Sequence, residues 1–209
     1  MNLKSDIAIS PTMEKLIRSL ATIPGIGPKS ATRMAYEFVL RKKEAAQNLA
    51  TNLDLALKNL SLCQSCRHIT EYDLCQICQS HRQTPQICVV ETPTDLLTIE
   101  QTGHYNGTYF VLHGSLSPID GRGPQELGLN LLHQKLKMET YKEVILATNA
   151  TMEGEATADY IQHSMQVSGI LYTRLATGVP MGGEVAYIDH QTLIKAFDAR
   201  TTSSSEDLT

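Results

Sequence analysis

The sequence predicts a multi-module α/β protein, and three observations predict it. The first sixty residues carry apolar positions at helical spacing; Cys63, Cys66, Cys75 and Cys78 form two tight pairs; and from Ile87 onward short apolar runs alternate with amphipathic segments. Strands separated by helices imply a parallel sheet with helices packed on it. The expected order is a helical module, a four-cysteine zinc finger, the parallel sheet and a short C-terminal strand–helix segment.

The helical module begins where Ser10 can cap and Pro11 can occupy the first turn, after which Met13, Leu16, Ile17 and Leu20 recur at helical spacing. A break follows at Ile23-Pro24-Gly25-Ile26-Gly27-Pro28, and helix returns through Ala31, Met34, Ala35 and Phe38. A third amphipathic run, Ala46, Leu49, Leu53, Leu57 and Leu60, leads toward the cysteines, so the knuckles are expected to cap this module. In the break, Gly25 and Gly27 permit positive φ and close backbone approach, and Pro28 lacks an N–H that would be unpaired anyway. The amides of the following helix N-terminus can hold a phosphate, with Lys29 and, one turn later on the same face, Arg33 adding charge. The alternative is a plain αα-hairpin whose glycines only make the turn; Pro24, Pro28 and Lys29 favour phosphate binding.

Charge agrees with that division. Residues 1–60 hold nine Lys or Arg against five Asp or Glu, net +4, whereas residues 61–209 hold nine against seventeen, net −8. The overall −4 excludes a uniformly basic nucleic-acid binder, and with no Trp and three Phe, base stacking is not the implied mode.

A thiolate pair spaced by two residues can point both sulfurs at one ion, and two pairs complete the tetrahedron that Zn²⁺ prefers, leaving no open position for water. One structural zinc per chain is therefore expected. A disulfide framework suits a secreted chain, but no apolar signal segment follows Met1 and no stretch is long enough to span a membrane, so a cytoplasmic location is expected. A redox dithiol explains one pair and not two. His68 and His81 read as spectators, and Cys88 as a small buried strand residue.

Expected strands are Ile87 to Val90, Tyr109 to Leu112, Val144 to Ala147 and Ile170 to Tyr172, with helices near 93–101, 124–138 and 153–167. A Val185 to Ile188 strand and a helix near 190–199 close the fold, and the Ser/Thr-rich tail is expected to be disordered. The modules are drawn at 1–56, 57–84, 85–176, 177–200 and 201–209. Glu91 ends the first strand, with Asp95 four residues on, at the edge where open α/β sheets form their sites. The third strand ends in Thr148-Asn149-Ala150-Thr151, with no acid. Glu153 and Glu155 follow, in positions that equally suit an N-cap and first helical turn. The loop 114–124, carrying Asp120 and Arg122, reads either as a binding loop or as a long connection.

Taken in order, Ile-Pro-Gly-Ile-Gly-Pro-Lys-Ser-Ala (23–31), the double knuckle (63–78), Val-Val-Glu (89–91), Gly-Ser-Leu-Ser-Pro (114–118), Ala-Thr-Asn-Ala-Thr-Met-Glu-Gly-Glu-Ala-Thr-Ala (147–158) and Thr-Arg-Leu-Ala-Thr-Gly-Val-Pro-Met-Gly-Gly (173–183) resemble the RecR family of bacterial recombination mediators. Ala150 departs from the proline usual there. The resemblance implies a helix-hairpin-helix, a zinc finger bound through Cys63, Cys66, Cys75 and Cys78, and a Toprim-like, Rossmannoid parallel sheet. It further implies a non-enzymatic DNA-repair protein, a ring-shaped tetramer that clamps DNA and works with RecO and RecF to load RecA at single-stranded gaps. Gly25, Gly27, Lys29 and Arg33 match its DNA-binding hairpin. Catalytic Toprim domains pair the strand-end Glu with an Asp-x-Asp; here Glu91 fits the first, but Asn149 and Thr151 replace the pair. Glu91, Glu153 and Glu155 are expected partner contacts. The rival from another class is a Mg²⁺-dependent Toprim-type phosphoryl-transfer enzyme using Glu91, Asp95 and Glu153; no tyrosine stands in a recognisable strand-cleavage context, with Tyr105 and Tyr109 left open. A third is a zinc-stabilised interaction module with no nucleic-acid role.

Overall fold

Three helices and then a run of alternating strands and helices account for the chain in the computed structural model, which describes residues 9–82 and 84–200. The tail expected to be disordered lies outside the described residues. Between Leu60 and Ser61 the chain divides into two compact units. No helix among the described residues is long and apolar enough to cross a membrane.

The first unit holds α1 (Pro11–Ala21), α2 (Pro28–Leu40) and α3 (Lys43–Asn59). As expected, the Ser10 hydroxyl caps α1, accepting from the Met13 N–H at 3.3 Å, and Pro11 sits in the first turn. Ala31 and Ala35, one turn apart on one face of α2, are wholly buried with Leu20 of α1; Met13, Leu16, Ile17, Met34 and Phe38 pack around them. Alanines at these two positions let the helix axes approach closely, which sets the hairpin. By contrast α3 buries none of its residues, and Leu49, Leu53 and Leu57 stand exposed.

The second unit opens with a short antiparallel pair, β1 (Ser61–Leu62) and β2 (Ile69–Thr70), and a single turn of helix, α4 (Gln76–Gln79), which carry the cysteines. There follow β3 (Gln86–Val90), α5 (Pro93–Gln101), β4 (Thr108–Val111), α6 (Leu129–Met138), β5 (Glu143–Ala147), α7 (Met152–Ser164), β6 (Leu171–Arg174) and α8 (His190–Asp198). The four longer strands form one parallel sheet in the order β4-β3-β5-β6, with Ile87 opposite both Thr108 and Val144. Because side chains alternate across a strand, the apolar run of β3 serves two layers. Ile87 and Val89 pack with Phe110, Val144 and Leu146 against α6 and α7, through Leu132, Leu136, Ala158 and Ile161. Cys88 and Val90 face the other way, with Tyr109 and Val111, toward Leu96 of α5 and toward Cys63, Cys66 and Cys75.

That second layer gives the knuckles a role within their own unit that the sequence did not predict. They cover one face of the parallel sheet, because α5 alone does not cover that face and the cysteine-rich segment supplies the remaining apolar lid. The knuckle also occupies a backbone group on the outer strand: the Val111 N–H donates to the Cys66 carbonyl at 2.8 Å, quieting part of the β4 edge.

Three boundaries also differ from expectation. The helix expected from 124 begins at Leu129, because Gly128 adopts φ +68° and residues before it form turns. The fourth strand runs Leu171–Arg174 instead of Ile170 to Tyr172. The expected Val185 to Ile188 strand is a 3-10 turn, Val185–Tyr187; no strand among the described residues pairs with it, and Asp189 caps α8 immediately afterwards by accepting from the Thr192 N–H at 2.9 Å.

Candidate metal centre and nucleic-acid interface

The sulfurs of Cys63, Cys66, Cys75 and Cys78 all lie within 4.8 Å of one another, and three of the four residues are buried. Each knuckle turns its backbone amides inward: the Cys75 N–H donates to the Cys63 sulfur at 3.3 Å and the His68 N–H to the Cys66 sulfur at 3.4 Å. Such bonds favour thiolates. Proton sharing among the crowded sulfurs is uneven. The Cys78 thiol is pulled down to about 5, chiefly because Cys66 donates to it, with Ser65, Cys75 and Cys63 adding to that against the effect of burial. The same bond to Cys78, together with burial, pushes Cys66 far up, and burial pushes Cys75 up to about 11. Four soft donors, with no fifth ligand among the described residues, make a closed, structural metal site. His68 contributes only its backbone N–H to Cys66, and burial lowers its imidazole. Cys88 lies in the sheet core, pushed up to about 12 by burial.

Sequence reasoning missed the residue that fastens this site to the sheet. Arg67, directly after the first cysteine pair, has φ +64°. Its guanidinium donates to the Leu127 carbonyl and lies over the Phe110 ring at 5.6 Å, while its own carbonyl accepts from His113 Nε2 at 2.7 Å. A carbonyl can only accept, so that ring nitrogen carries the proton. The usual signal for a left-handed turn is glycine, and an arginine hides it.

In the first unit, Gly25 has φ +82°, and the Ile26 N–H closes the turn onto the Ile23 carbonyl at 3.0 Å. Gly27 is the N-cap of α2 and brings no side-chain cap; a Cβ there would meet nothing within 4 Å. The first amides of α2, beginning with Lys29 since Pro28 has none, therefore face open space. Both Lys29 and Arg33 are exposed. Arg18, Arg41 and Lys58 are held by Glu14, Glu37 and Asp54 within their own helices. Among the described residues neither Lys29 nor Arg33 forms an ion pair. The result is a turn with free amides, two cations without an ion pair among the described residues, and open space at Gly27.

At the C-terminal edge of the sheet the acids are otherwise arranged. Glu91 is only 7% exposed and takes both of its bonds from Asn149: Oε1 accepts the backbone N–H at 2.8 Å and Oε2 the side-chain amide at 2.7 Å. Asp95 is held in a capping box with Thr92, accepting from its N–H and its hydroxyl at 2.8 Å each. Glu155 is tied to Arg174 and, at 2.8 Å, to Lys195 of α8. Of the three acids expected to meet a partner, Glu153 alone stands exposed, in the first turn of α7; Glu91 is buried and Glu155 is engaged within the chain. Tyr109 is wholly buried, and the Tyr105 hydroxyl donates to the Thr108 carbonyl at 2.8 Å. Burial raises both phenols well above their ordinary value, which suits neither to nucleophilic attack. The loop after β4 is a tight turn in which Ser117 and Arg122 exchange backbone bonds and Asp120 pairs with Arg122 at 2.7 Å.

Three family models match the chain. Residues 13–57 match the model described as RecR, helix-hairpin-helix; residues 85–176 match the Toprim domain; and residues 178–201 match the model described as RecR, C-terminal.

Proposed function

The chain belongs to the RecR family, whose role is recombinational repair, and we propose from this premise that it acts as a non-enzymatic DNA clamp in the cytoplasm. It works with RecO and RecF to help load RecA at single-stranded gaps. The observation that carries the reading is the α1–α2 hairpin: exposed helix-start amides beside Gly27, with Lys29 and Arg33 on the same face and no ion pair for either among the described residues. Such a surface holds phosphates without reading bases. Gly25 gives the turn its left-handed residue, and Gly27 lets the DNA backbone come close.

The ion at the four cysteines is zinc. A tetrahedron with zinc–sulfur bonds near 2.3 Å places sulfurs about 3.8 Å apart, in keeping with a cluster whose sulfurs lie within 4.8 Å and whose Cys66–Cys75 pair is 3.5 Å apart. The zinc builds the lid on one face of the sheet. A ring-shaped tetramer is supported by the uncovered apolar face of α3, and by the groove of about 440 Å³ lined by Leu16, Leu20, Phe38, Ala46 and Leu53. Glu153 is the acid best placed to meet a basic protein partner.

The non-enzymatic reading is supported by the commitments of Glu91 to Asn149 and of Asp95 to its capping box. The decisive experiment is the double substitution Lys29→Ala, Arg33→Ala. The variant stays folded by circular dichroism, binds DNA more weakly, and loses about 2 from the slope of log K against log salt, close to one for each phosphate contact removed. Unchanged affinity and slope would overturn the hairpin as the DNA contact. Turnover of DNA with Mg²⁺ that disappears in Glu91→Ala would overturn the non-enzymatic assignment.

A further inference from the structure

A carboxylate buried at a strand end needs donors or a cation to replace water. Among the described residues no cation pairs with Glu91. Its two oxygens are satisfied by one residue, through the backbone N–H of Asn149 at 2.8 Å and the side-chain Nδ2 at 2.7 Å. Gly154 closes the other side: a Cβ there would lie 2.7 Å from Glu91 Oε1 and would collide with the Asn149 carbonyl. Gly154 is itself held at both ends, its N–H donating to Thr151 Oγ1 at 3.1 Å and its carbonyl accepting from Thr148 Oγ1 at 2.8 Å. The neighbouring acids that could complete a cation site, Asp95 and Glu155, are engaged elsewhere.

We propose that Asn149 is the resident counterpart of the Glu91 carboxylate, an amide holding the place of a divalent cation, and that this lock joins the ends of β3 and β5 to the start of α7 without any ion. The pairing is directional. A carboxylate offers two acceptors and an Asn149 amide with its own backbone N–H offers two donors, so the match is complete in one polarity. Exchanging the groups preserves it: in Glu91→Gln, Asn149→Asp the glutamine oxygen still accepts the backbone N–H, and its amide now donates to the aspartate. The single exchanges differ. In Glu91→Gln the pairing survives once the Asn149 amide turns over, so that its Oδ1 accepts from the glutamine amide. Asn149→Asp sets two carboxylates together, a pair that a divalent cation stabilises. The lock does not depend on what the hairpin unit binds, so it can fail while the DNA reading stands.

The test is a four-member set in the full-length, metal-loaded protein: wild type, Glu91→Gln, Asn149→Asp and the double exchange, each melted with and without millimolar Mg²⁺. Asn149→Asp is expected to lose about 5 °C or more, and Glu91→Gln clearly less, because the Asn149 amide can turn over to meet the glutamine. The double exchange should recover most of that loss. Mg²⁺ should raise the melting temperature of Asn149→Asp selectively and leave the wild type and the double exchange unmoved. If Asn149→Asp does not fold, a folded double exchange supports the lock and an unfolded one overturns it. The proposal is also overturned if Asn149→Asp is as stable as wild type and indifferent to Mg²⁺. Mn²⁺ binding to the wild type in equilibrium dialysis, abolished by Glu91→Gln, would overturn it too.

Discussion

Removing the Arg67 side chain tests how the cysteine knuckle is fastened to the sheet. The residue sits at φ +64°, donates to the carbonyl of buried Leu127 and covers Phe110 at 5.6 Å. Arg67→Ala loses a hydrogen bond from a charged donor, about 1.5–3 kcal/mol, and leaves a buried carbonyl short of a partner. It also loses the cation–π contact, about 0.5–1 kcal/mol. The two together are about 2–4 kcal/mol, or a fall of roughly 5–15 °C in melting temperature for a chain of this size. Arg67→Gly makes the same losses but escapes the left-handed penalty of about 1–2 kcal/mol that alanine keeps. Glycine's greater freedom in the unfolded chain offsets about 0.4–1 kcal/mol of that gain. Glycine should therefore be more stable than alanine by about 0.5–1 kcal/mol, although it has the smaller side chain. Urea unfolding followed by circular dichroism, with metal held saturating, measures both variants. An Arg67→Ala protein within about 0.5 kcal/mol of wild type would refute the anchor. A glycine variant less stable than the alanine variant would refute the argument from φ.

Further expectations concern the other contacts. Metal uptake at pH 7 should release the Cys66 and Cys75 protons but none from Cys78, already a thiolate with its value near 5, so the proton count from buffer-dependent calorimetry falls below four; a count of four contradicts the uneven sharing. Chelation should abolish hydrogen-exchange protection in β3 and β4 and leave it in α1 and α2, because the cysteines share a core with the sheet; uniform loss contradicts this. Glu155→Gln should lower stability at pH 7 by less than about 1 kcal/mol, the pair being partly solvated. Lys195 first and Arg174 second hold the Glu155 carboxyl below its ordinary value, so its contribution is complete above the unfolded-state value near 4.3 and disappears as pH falls through the lower folded value. The variant and wild-type stability curves should converge in acid; a gap that persists there rules out the charge as its source. Ala35→Leu should cost about 1–3 kcal/mol by forcing α1 and α2 apart, and a neutral effect would show that their contact is not close.

Much of this architecture was legible because it is local. Ser10 and Pro11 announce α1, the two Cys-x-x-Cys pairs announce a metal site, and the apolar runs of β3 and β4 stand out for being buried on both faces. The misplaced elements are those whose conformation is set by neighbours distant in sequence. Val185 to Ile188 has the composition of a strand but no partner strand among the described residues. Gly128 delays α6 by taking a left-handed conformation beneath the Arg67 guanidinium, sixty-one positions away in the chain. The acids at the sheet edge were individually visible, yet which were free was not: that depended on Asn149 reaching back to Glu91 and on Lys195 reaching Glu155 from α8.

The sequence by itself determined the family, the order of its parts, the four thiol ligands and the two cations on the hairpin. Each follows from residue type at short spacing, where covalent geometry allows few outcomes. Tertiary structure decided what those parts cover and which groups remain available. It placed the cysteines over one face of the parallel sheet, put Arg67 in a left-handed turn to hold them there, and closed Glu91 with the amide of Asn149. The physical reason is that burial and hydrogen-bond satisfaction are properties of the whole fold: a carboxylate, an arginine or a thiol is available only after every donor, acceptor and apolar surface around it has found its partner.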